Sequence, residues 1–151
     1  MGKRKKWKTI GTLVLLFVLC TNAVTAHAQG LSDTASVYQA RWKVLQACVL
    51  DCTIFSNRIA SVYSDAVATN NNYKLKVTAT LTRYDMETDT WTDLCSVTDT
   101  DYGQVTVETD YMIPNQEGLY YNRTNIVTYN ANGTVAERIE LFSDSQYFAG
   151  N

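Results

Sequence analysis

Residues 104–129, with the sequence QVTVETDYMIPNQEGLYYNRTNIVTY, decide the fold of this chain. In the first half, apolar and polar residues alternate, which is the period-two pattern of a strand with one face in a core. Pro114 cannot donate a hydrogen bond to a neighbouring strand, so it belongs at the end of this strand. A polar turn leads to Gly118, and a second strand with aromatic and β-branched residues follows. The stretch therefore predicts two strands that cross from one sheet to another at a corner.

This corner resembles one found in immunoglobulin-like and fibronectin type III sandwiches, where a tyrosine near the start of a strand donates a hydrogen bond to upstream backbone. Tyr121, three residues beyond Gly118, is the matching position. Tyr120 is the alternative if the register differs by one residue. An ordinary β-hairpin with two surface tyrosines is the competing interpretation. We favour the corner because the C-terminal part of the chain also has strand patterns.

The other segments support an all-β fold. Residues 73–82 alternate between apolar and polar side chains, which predicts an antiparallel strand with one buried face. Strand patterns also surround Trp91 and occupy residues 135–141, and turns rich in Asn, Asp or Gly separate them. About seven strands result, without an alternation of helices and strands. We therefore predict an antiparallel immunoglobulin-like β-sandwich.

Residues 44–68 fit two different structures. As a helix, Leu45, Val49 and Cys52 belong to an apolar stripe with a period of about 3.6 residues. As two strands, apolar residues alternate on either side of residues 56–58, whose sequence Ser-Asn-Arg is typical of a turn. We prefer the two strands, because these turn residues would otherwise lie in the middle of one long helix.

The N-terminus has the pattern of a secretory signal peptide. Five Lys and Arg residues precede an apolar run from Ile10 to Cys20, and Ala26-His27-Ala28 follows as an A-x-A cleavage sequence. The apolar run is shorter than the roughly 20 residues that a membrane-spanning helix needs. We predict cleavage after Ala28, with cleavage after Ala26 as the alternative. The domain organisation is then a signal peptide at 1–28, a flexible leader at 29–40 and the sandwich at 41–148.

Removal of residues 1–28 changes the charge of the protein. The chain has 13 Lys and Arg residues and 15 Asp and Glu residues, and cleavage removes five of the basic ones. The mature part keeps 13 − 5 = 8 basic and 15 acidic residues, a formal charge of −7. This balance argues against nucleic acid and against a membrane surface as partners. His27, the only histidine, is also removed, which excludes histidine-dependent catalytic triads and histidine-ligated metal sites.

Three cysteines remain after cleavage, an odd number for an exported protein. On one strand, Cys48 and Cys52 would lie about 13 Å apart, which is too far for a bridge between them. Cys95 is therefore the candidate partner for a disulfide with either Cys48 or Cys52. Buried, unpaired thiols that pack as small apolar side chains are the alternative.

Acidic side chains crowd two adjacent loops, which suggests calcium because this cation prefers oxygen ligands on flexible turns. Neither loop matches the EF-hand pattern, and we favour a solvated loop of mutually repelling carboxylates. Paired carboxylates would also serve a glycosidase, but no apolar pocket is evident that would raise the pKa of one of them. We therefore predict no catalytic residue and no cofactor. The weak calcium candidates are Asp85, Glu87, Asp89, Asp99 and Asp101.

Two tryptophans are the candidate ligand-binding residues. Trp91 follows a turn and alternates with Asp93, which predicts partial exposure, and Trp42 is the second candidate. A carbohydrate-binding platform would require at least two exposed, coplanar rings. Tyr and Trp are favoured both in β-sheets and at binding surfaces, so their number alone does not separate a core from an interface.

Four features follow one another along the chain: Thr82-Arg83-Tyr84 at a strand end, Trp91, the corner at 118–121 and a hairpin at 130–137. This order resembles a family of small secreted proteins of unknown function from Gram-positive bacteria, mostly gut Firmicutes. The likeness spans Arg41 to Tyr147 and implies an export signal followed by one immunoglobulin-like domain, with no catalytic residues to transfer. This chain differs in being acidic and richer in cysteine.

In a bacterial exported protein, the N-glycosylation patterns at Asn122 and Asn132 would be accidental. The sequence as a whole predicts an exported, non-catalytic β-sandwich that binds an unknown protein or a cell-surface glycan, or that has a structural role. Two alternatives remain. One is a carbohydrate or cell-wall binding module, and the other is a calcium-dependent adhesive or assembly domain.

Overall fold

The computed structural model describes residues 36–38 and 42–150, and these residues form nine strands and no helix. The predicted signal peptide, its cleavage position at Ala28 and the rest of the predicted leader lie outside the described residues. The described part of the chain is all-β, as the alternating patterns predict. The strands are β1 (Ser36–Tyr38), β2 (Leu45–Ile54), β3 (Ile59–Ala68), β4 (Lys74–Asp85), β5 (Thr90–Tyr102), β6 (Gln104–Met112), β7 (Gly118–Tyr129), β8 (Val135–Phe142) and β9 (Gln146–Phe148).

The strands form two antiparallel sheets. Sheet A has the order β1-β2-β3-β6, and sheet B has the order β5-β4-β7-β8, with the short β9 also paired to β7. The chain passes from sheet B to sheet A between β5 and β6 through the single residue Gly103. Gly103 has a φ of +78°, and a Cβ there would collide with the side chain of Asn71. This crossing therefore requires glycine.

The ambiguous segment at 44–68 forms the two strands β2 and β3, so the helix alternative is wrong. The strands are joined by a turn in which Arg58 has a φ of 63°. Across this turn the Phe55 N–H donates a hydrogen bond of 2.8 Å to the Ile59 carbonyl. Every second residue of β3 is buried, which is the burial expected of a strand with one face in the core.

Two strands exceed the seven that the sequence predicts. Residues Ser36–Tyr38 form β1 and pair with β2, although they fall within the predicted flexible leader. The leader prediction is therefore corrected at these three residues. The second additional strand, β9, pairs with the start of β7, where Tyr147 lies opposite Leu119. Both strands have only three residues, too few for an alternating pattern to be recognised in the sequence.

The core is formed by inward-facing residues of strands from both sheets. Burial alternates strictly along β3 and β7, and the core side chains come from sheet A as well as from sheet B. Burying a leucine or isoleucine side chain of this kind contributes about 1.5–3 kcal/mol. The largest fully buried apolar side chains are Tyr120, Leu45, Leu50, Leu75, Leu81, Ile113 and Ile126.

The corner between β6 and β7 is closed by Tyr120 and not by Tyr121. The Tyr120 side chain is fully buried, and its hydroxyl donates a hydrogen bond of 3.0 Å to the Gln116 carbonyl. Strand β7 begins at Gly118, so its even-numbered residues face the core and Tyr121 faces outwards. The prediction of Tyr121 is therefore corrected to the alternative position, Tyr120.

Pro114 and Gly118 shape the corner in different ways. Pro114 lies two residues beyond the end of β6, which agrees with its predicted place at a strand end. A Cβ at Gly118 would lie 2.9 Å from the Tyr84 carbonyl oxygen, so β4 passes too close for any other residue. The guanidinium of Arg83 then donates a hydrogen bond of 3.0 Å to the Glu117 carbonyl. The end of β4 and the corner are thereby held together.

Candidate functional site

The candidate site lies on the outer face of sheet B, at the end of the sheet near the corner. Trp91 on β5 lies opposite Tyr84 on β4. Tyr121 on β7 lies opposite Thr82, which is also on β4. Phe142, the last residue of β8, adds a fourth ring beside Trp91. We call Tyr84, Trp91, Tyr121 and Phe142 the aromatic cluster.

Trp91 lies at the centre of the aromatic cluster. Its ring centroid is 4.9 Å from that of Tyr84, 5.3 Å from that of Tyr121 and 6.1 Å from that of Phe142. These distances are typical of aromatic pairs that stabilise each other. The corresponding interplanar angles are 40°, 49° and 54°, so the rings form a tilted group. Trp91 is therefore coplanar with none of the other three rings and does not form with them the coplanar platform that a carbohydrate module would require.

The aromatic cluster is exposed even though its rings pack against one another. Trp91 is 52% exposed, which confirms its predicted partial exposure, and Phe142 is 38% exposed. Tyr84 and Tyr121 are half-buried. Thr82 lies on the same outer face and is nevertheless fully buried, because the surrounding side chains cover it. The cluster is therefore a packed structure on the surface of the sheet.

Charged side chains surround the aromatic cluster. The guanidinium of Arg123 forms an ion pair of 2.6 Å with Asp93 and lies 3.9 Å from Glu140. The Tyr84 hydroxyl donates a hydrogen bond of 2.6 Å to Asp89. This bond to a carboxylate raises the pKa of Tyr84, because it holds the phenol proton in place. The site therefore has an apolar centre, a charged rim and at least one ring whose orientation is fixed by a hydrogen bond.

Trp42, the second predicted binding residue, has a different environment. Its side chain is half-buried and packs against the hydrophobic core. The aromatic contacts of Trp91 are made with Tyr84, Tyr121 and Phe142, so the structure does not bring the two tryptophans into one site. Trp42 therefore contributes to packing, and the candidate site depends on Trp91.

The five candidate calcium ligands do not converge. Within residues 42–150, no group of three or more His, Cys, Asp or Glu side chains is placed to hold a metal ion. The carboxylate of Asp85 instead accepts hydrogen bonds from the Thr88 N–H at 3.1 Å and from the Arg83 guanidinium at 2.7 Å. These donors, the Thr88 N–H foremost, hold the pKa of Asp85 below its usual value. Asp99 and Asp101 each accept a hydrogen bond of 2.7 Å from the N–H of the next residue.

The three described cysteines are free thiols, so Cys95 forms no disulfide with Cys48 or Cys52 in this structure. Cys48 and Cys52 are buried on β2, and Cys95 is half-buried on β5. Burial raises the pKa of Cys48 and of Cys52 to about 12. Because the reactive form of cysteine is the thiolate, these two side chains behave as small apolar groups at neutral pH.

The inner face of β7 carries a buried polar network that the sequence interpretation missed. Asn122 is fully buried, and its side-chain amide donates a hydrogen bond of 2.7 Å to the Tyr63 carbonyl of sheet A. The same amide donates to the Ser64 hydroxyl at 2.9 Å. The Thr124 hydroxyl lies 2.7 Å from that of Ser64 and 3.0 Å from the Asn122 side-chain oxygen. This network joins the two sheets, and its signal in the sequence was the presence of polar residues at the inward-facing positions of β7.

The asparagines of the two N-glycosylation patterns differ in their exposure to solvent. Asn122 is inaccessible in the folded chain because it is fully buried. Asn132 is exposed in the turn between β7 and β8. Its side-chain oxygen accepts hydrogen bonds from the Thr134 N–H at 3.1 Å and from the Thr134 hydroxyl at 2.7 Å. Asn122 therefore has a structural role in the core and is not a glycosylation site in the folded chain.

Comparison with known proteins adds no family to these observations. A scan against models of protein families finds no match, and a search of curated proteins finds no similar sequence. Residues 36–38 and 42–150 include no helix that could span a bilayer. The candidate site is therefore interpreted from its own geometry.

Proposed function

We propose that this protein is an exported, non-catalytic binding domain whose aromatic cluster contacts a protein partner. The observation that carries the proposal is the half-exposed Trp91 at the centre of three packed rings. The proposal retains the binding role expected from the sequence and assigns it to one surface, the outer face of sheet B.

We assign the sandwich to the immunoglobulin-like class. In that class, strands A, B, E and D form one sheet, and strands G, F and C form the other, which a strand C′ can extend. The order β2-β3-β6 corresponds to A-B-E, and β5-β4-β7-β8 corresponds to C′-C-F-G. The buried Tyr120 near the start of β7 corresponds to the corner tyrosine near the start of strand F. These correspondences also support the resemblance to small secreted proteins of Gram-positive bacteria.

The composition of the aromatic cluster favours binding. Residues that dominate protein interfaces are mostly Trp, Tyr and Arg near the centre, with polar residues at the rim. Here a tryptophan is surrounded by three rings, and the Arg123–Asp93 ion pair lies beside them. Because the rings already pack against one another, little side-chain entropy remains to be lost on binding. Exposed apolar rings that cluster in this way commonly mark an interaction surface.

The tilt of the rings favours a protein over a neutral glycan. Sugar rings that stack along a platform need aromatic faces in one plane, whereas Trp91 is inclined by 40° to 54° to each of the other three rings. A protein surface, with side chains of varied shape, can fill the angles between such rings. A carbohydrate module is therefore the second candidate function, after a domain that binds a protein partner.

Two sequence features support export and a non-catalytic role. The pattern at residues 1–28 is that of a secretory signal peptide. Residues 29–151 contain no histidine. The structure adds that the carboxylate of Asp85 accepts hydrogen bonds from Arg83 and Thr88 and that of Asp89 accepts one from Tyr84. A cleavage reaction would need reactive groups that converge on one cleft.

The test compares the protein with its Trp91→Ala variant. Immobilised protein is exposed to solubilised cell-surface proteins, captured partners are identified by mass spectrometry, and the best-captured partner is purified for titration. We expect Trp91→Ala and Tyr121→Ala to weaken the affinity by at least about tenfold, as truncation of a central aromatic residue does. Phe55→Ala, which removes an exposed ring outside the cluster, is the matched control and should leave the affinity unchanged.

Equal binding by the protein and its Trp91→Ala variant would show that the cluster is not the interface. Binding of neutral oligosaccharides that depends on Trp91, without any protein partner, would replace the proposal by a carbohydrate module. Melting temperatures of all variants serve to separate loss of binding from loss of folding.

A further inference from the structure

A second candidate site lies at the other end of the outer face of sheet B. It is a shallow depression of about 390 Å³, which we call the lysine–tyrosine depression. Its volume falls within the range of about 300–1,000 Å³ typical of small-molecule sites. From Lys74 to Tyr84 the strand β4 rises by about 33 Å, so the depression is well separated from the aromatic cluster. Its main lining residues are Lys74, Lys76, Tyr102, Tyr129, Asn130 and Gly133.

The register of sheet B creates the depression. Lys74 lies opposite Tyr102 on β5 and opposite Tyr129 on β7, so one lysine stands between two tyrosines on neighbouring strands. Lys76 follows two residues later on the same face, about 7 Å along the strand. Tyr102 is 59% exposed, and the turn that contains Asn130 bounds the depression. Two ammonium groups and two aromatic rings are thus presented together on an open surface.

The charge of the depression is not neutralised. Among residues 42–150, neither Lys74 nor Lys76 forms an ion pair, whereas Arg83 and Arg123 do. Asp99 and Asp101 are on the neighbouring strand β5 on either side of Thr100, which lines the depression. Because successive residues of a strand point to opposite faces, these two aspartates do not belong to the face that carries the depression. Because residues 29–151 carry a formal charge of −7, two adjacent unpaired lysines are a local exception to the acidic composition. An anionic ligand is therefore the complementary one.

We propose that the lysine–tyrosine depression binds an acidic saccharide through the carboxylates of its sugar units. The lysine ammonium groups would neutralise the carboxylates, and the tyrosine rings would pack against the sugar faces. Thr100 and Asn130 offer hydrogen-bonding groups for sugar hydroxyls. Nucleic acid is disfavoured, because its backbone requires an extended basic surface and this chain is acidic. The flanking tyrosines favour a saccharide over an acidic peptide, for which lysines alone would suffice.

The test is a calorimetric titration of the purified protein with hexagalacturonate at low salt. We expect binding that the fully methyl-esterified oligomer, which lacks the charges, does not show. The Lys74→Ala and Lys76→Ala double variant should bind at least about tenfold more weakly, as should Tyr102→Ala and Tyr129→Ala. Lys43→Ala removes one exposed lysine outside the depression and is the control for a loss of positive charge elsewhere on the chain, with an expected change below about twofold.

Three outcomes would overturn the proposal. One is the absence of hexagalacturonate binding at low salt. The second is equally tight binding of a hexaglutamate peptide, which would indicate an acidic peptide or unspecific charge attraction. The third is normal binding by the tyrosine variants, which would remove the role of the rings. Trp91→Ala should bind hexagalacturonate normally, so this test and that of the proposed protein interface succeed or fail independently.

Discussion

The two outer faces of the sandwich differ in charge although the two sheets share one core. The strands of sheet A contain no Lys or Arg, and Asp65 on its outer face accepts hydrogen bonds from Gln104 at 2.9 Å and from Thr106 at 2.8 Å. The strands of sheet B contain five basic residues together with the exposed Trp91 and Tyr102. Inward-facing positions are constrained by packing, whereas outward-facing positions are free to vary. Function should therefore be sought on the outer face of sheet B.

The largest predicted effect concerns the inner face of β7. Asn122→Ala removes the sheet B amide that donates to Tyr63 and Ser64, so buried acceptors in sheet A lose their donor. We expect the free energy of unfolding to fall by about 3 kcal/mol, measured by urea denaturation. The matched control is Asn125→Ala, on the outer face of the same strand, with an expected change within about 0.5 kcal/mol. Similar effects of the two substitutions would contradict the distinction between inner and outer faces.

A smaller effect is expected at the corner. Tyr120→Phe removes the hydroxyl that donates to the Gln116 carbonyl, and should lower the free energy of unfolding by about 1–2 kcal/mol. Tyr121→Phe, one residue away but facing outwards, should change it by less than about 0.5 kcal/mol. Denaturation curves of the two variants provide the measurement. A larger loss at Tyr121 than at Tyr120 would show that the corner is pinned by the residue first predicted.

The buried thiols of β2 predict a loss of stability in alkali. Burial raises the pKa of Cys48 and of Cys52 from 9.0 to about 12, so the unfolded chain releases these protons first as the pH rises. The stabilisation from each protonated thiol is complete well below pH 9 and is lost as the pH rises from 9 to 12, by about 1 kcal/mol per thiol between pH 9 and pH 10. The measurement is the unfolding free energy as a function of pH, in which Cys52→Ala should flatten the slope. An unchanged slope in this variant would contradict the assignment of the alkaline loss of stability to the buried thiols.

The smallest effect is expected on the outer face of sheet B. Asp93→Asn breaks the ion pair with Arg123, in which the side chains of Arg123 and Asp93 are 30% and 52% exposed. Exposed pairs contribute little, so we expect the free energy of unfolding to fall by about 0.5 kcal/mol and the difference to shrink at high salt. Urea denaturation at two salt concentrations tests this. A loss as large as that of Asn122→Ala would mean that the outer face is as important for stability as the inner one.

The strands could be predicted from the sequence because the alternation of apolar and polar residues is a local property of each segment. Residues 73–82 and 104–113 carry it clearly, and both segments form strands. The sequence does not decide between Tyr120 and Tyr121, because the inward phase of β7 depends on the residue at which the strand begins. The polar residues Asn122 and Thr124 were missed because an inward-facing position is usually assumed to be apolar.

The candidate sites were only partly predictable. The partial exposure of Trp91 follows from its place after a turn, and the structure confirms it. The rings around it come from β4, β7 and β8, and no local pattern shows that Tyr84, Tyr121 and Phe142 will meet. The lysine–tyrosine depression has the same origin, since Lys74 meets its tyrosines only through the pairing of three strands. A site that forms through the pairing of several strands therefore cannot be identified from the sequence until the register of the strands is known.

The strand order also has a consequence for the timing of folding. Sheet A requires β6, at Gln104–Met112, and sheet B requires β7, at Gly118–Tyr129. Neither sheet can therefore be completed from the first two thirds of the chain. Pairing between distant segments is slow because long loops must close before the contacts form. If the chain is exported with its N-terminus first, we expect most of it to cross the membrane before the sandwich can close, which would keep the chain unfolded for as long as transport requires.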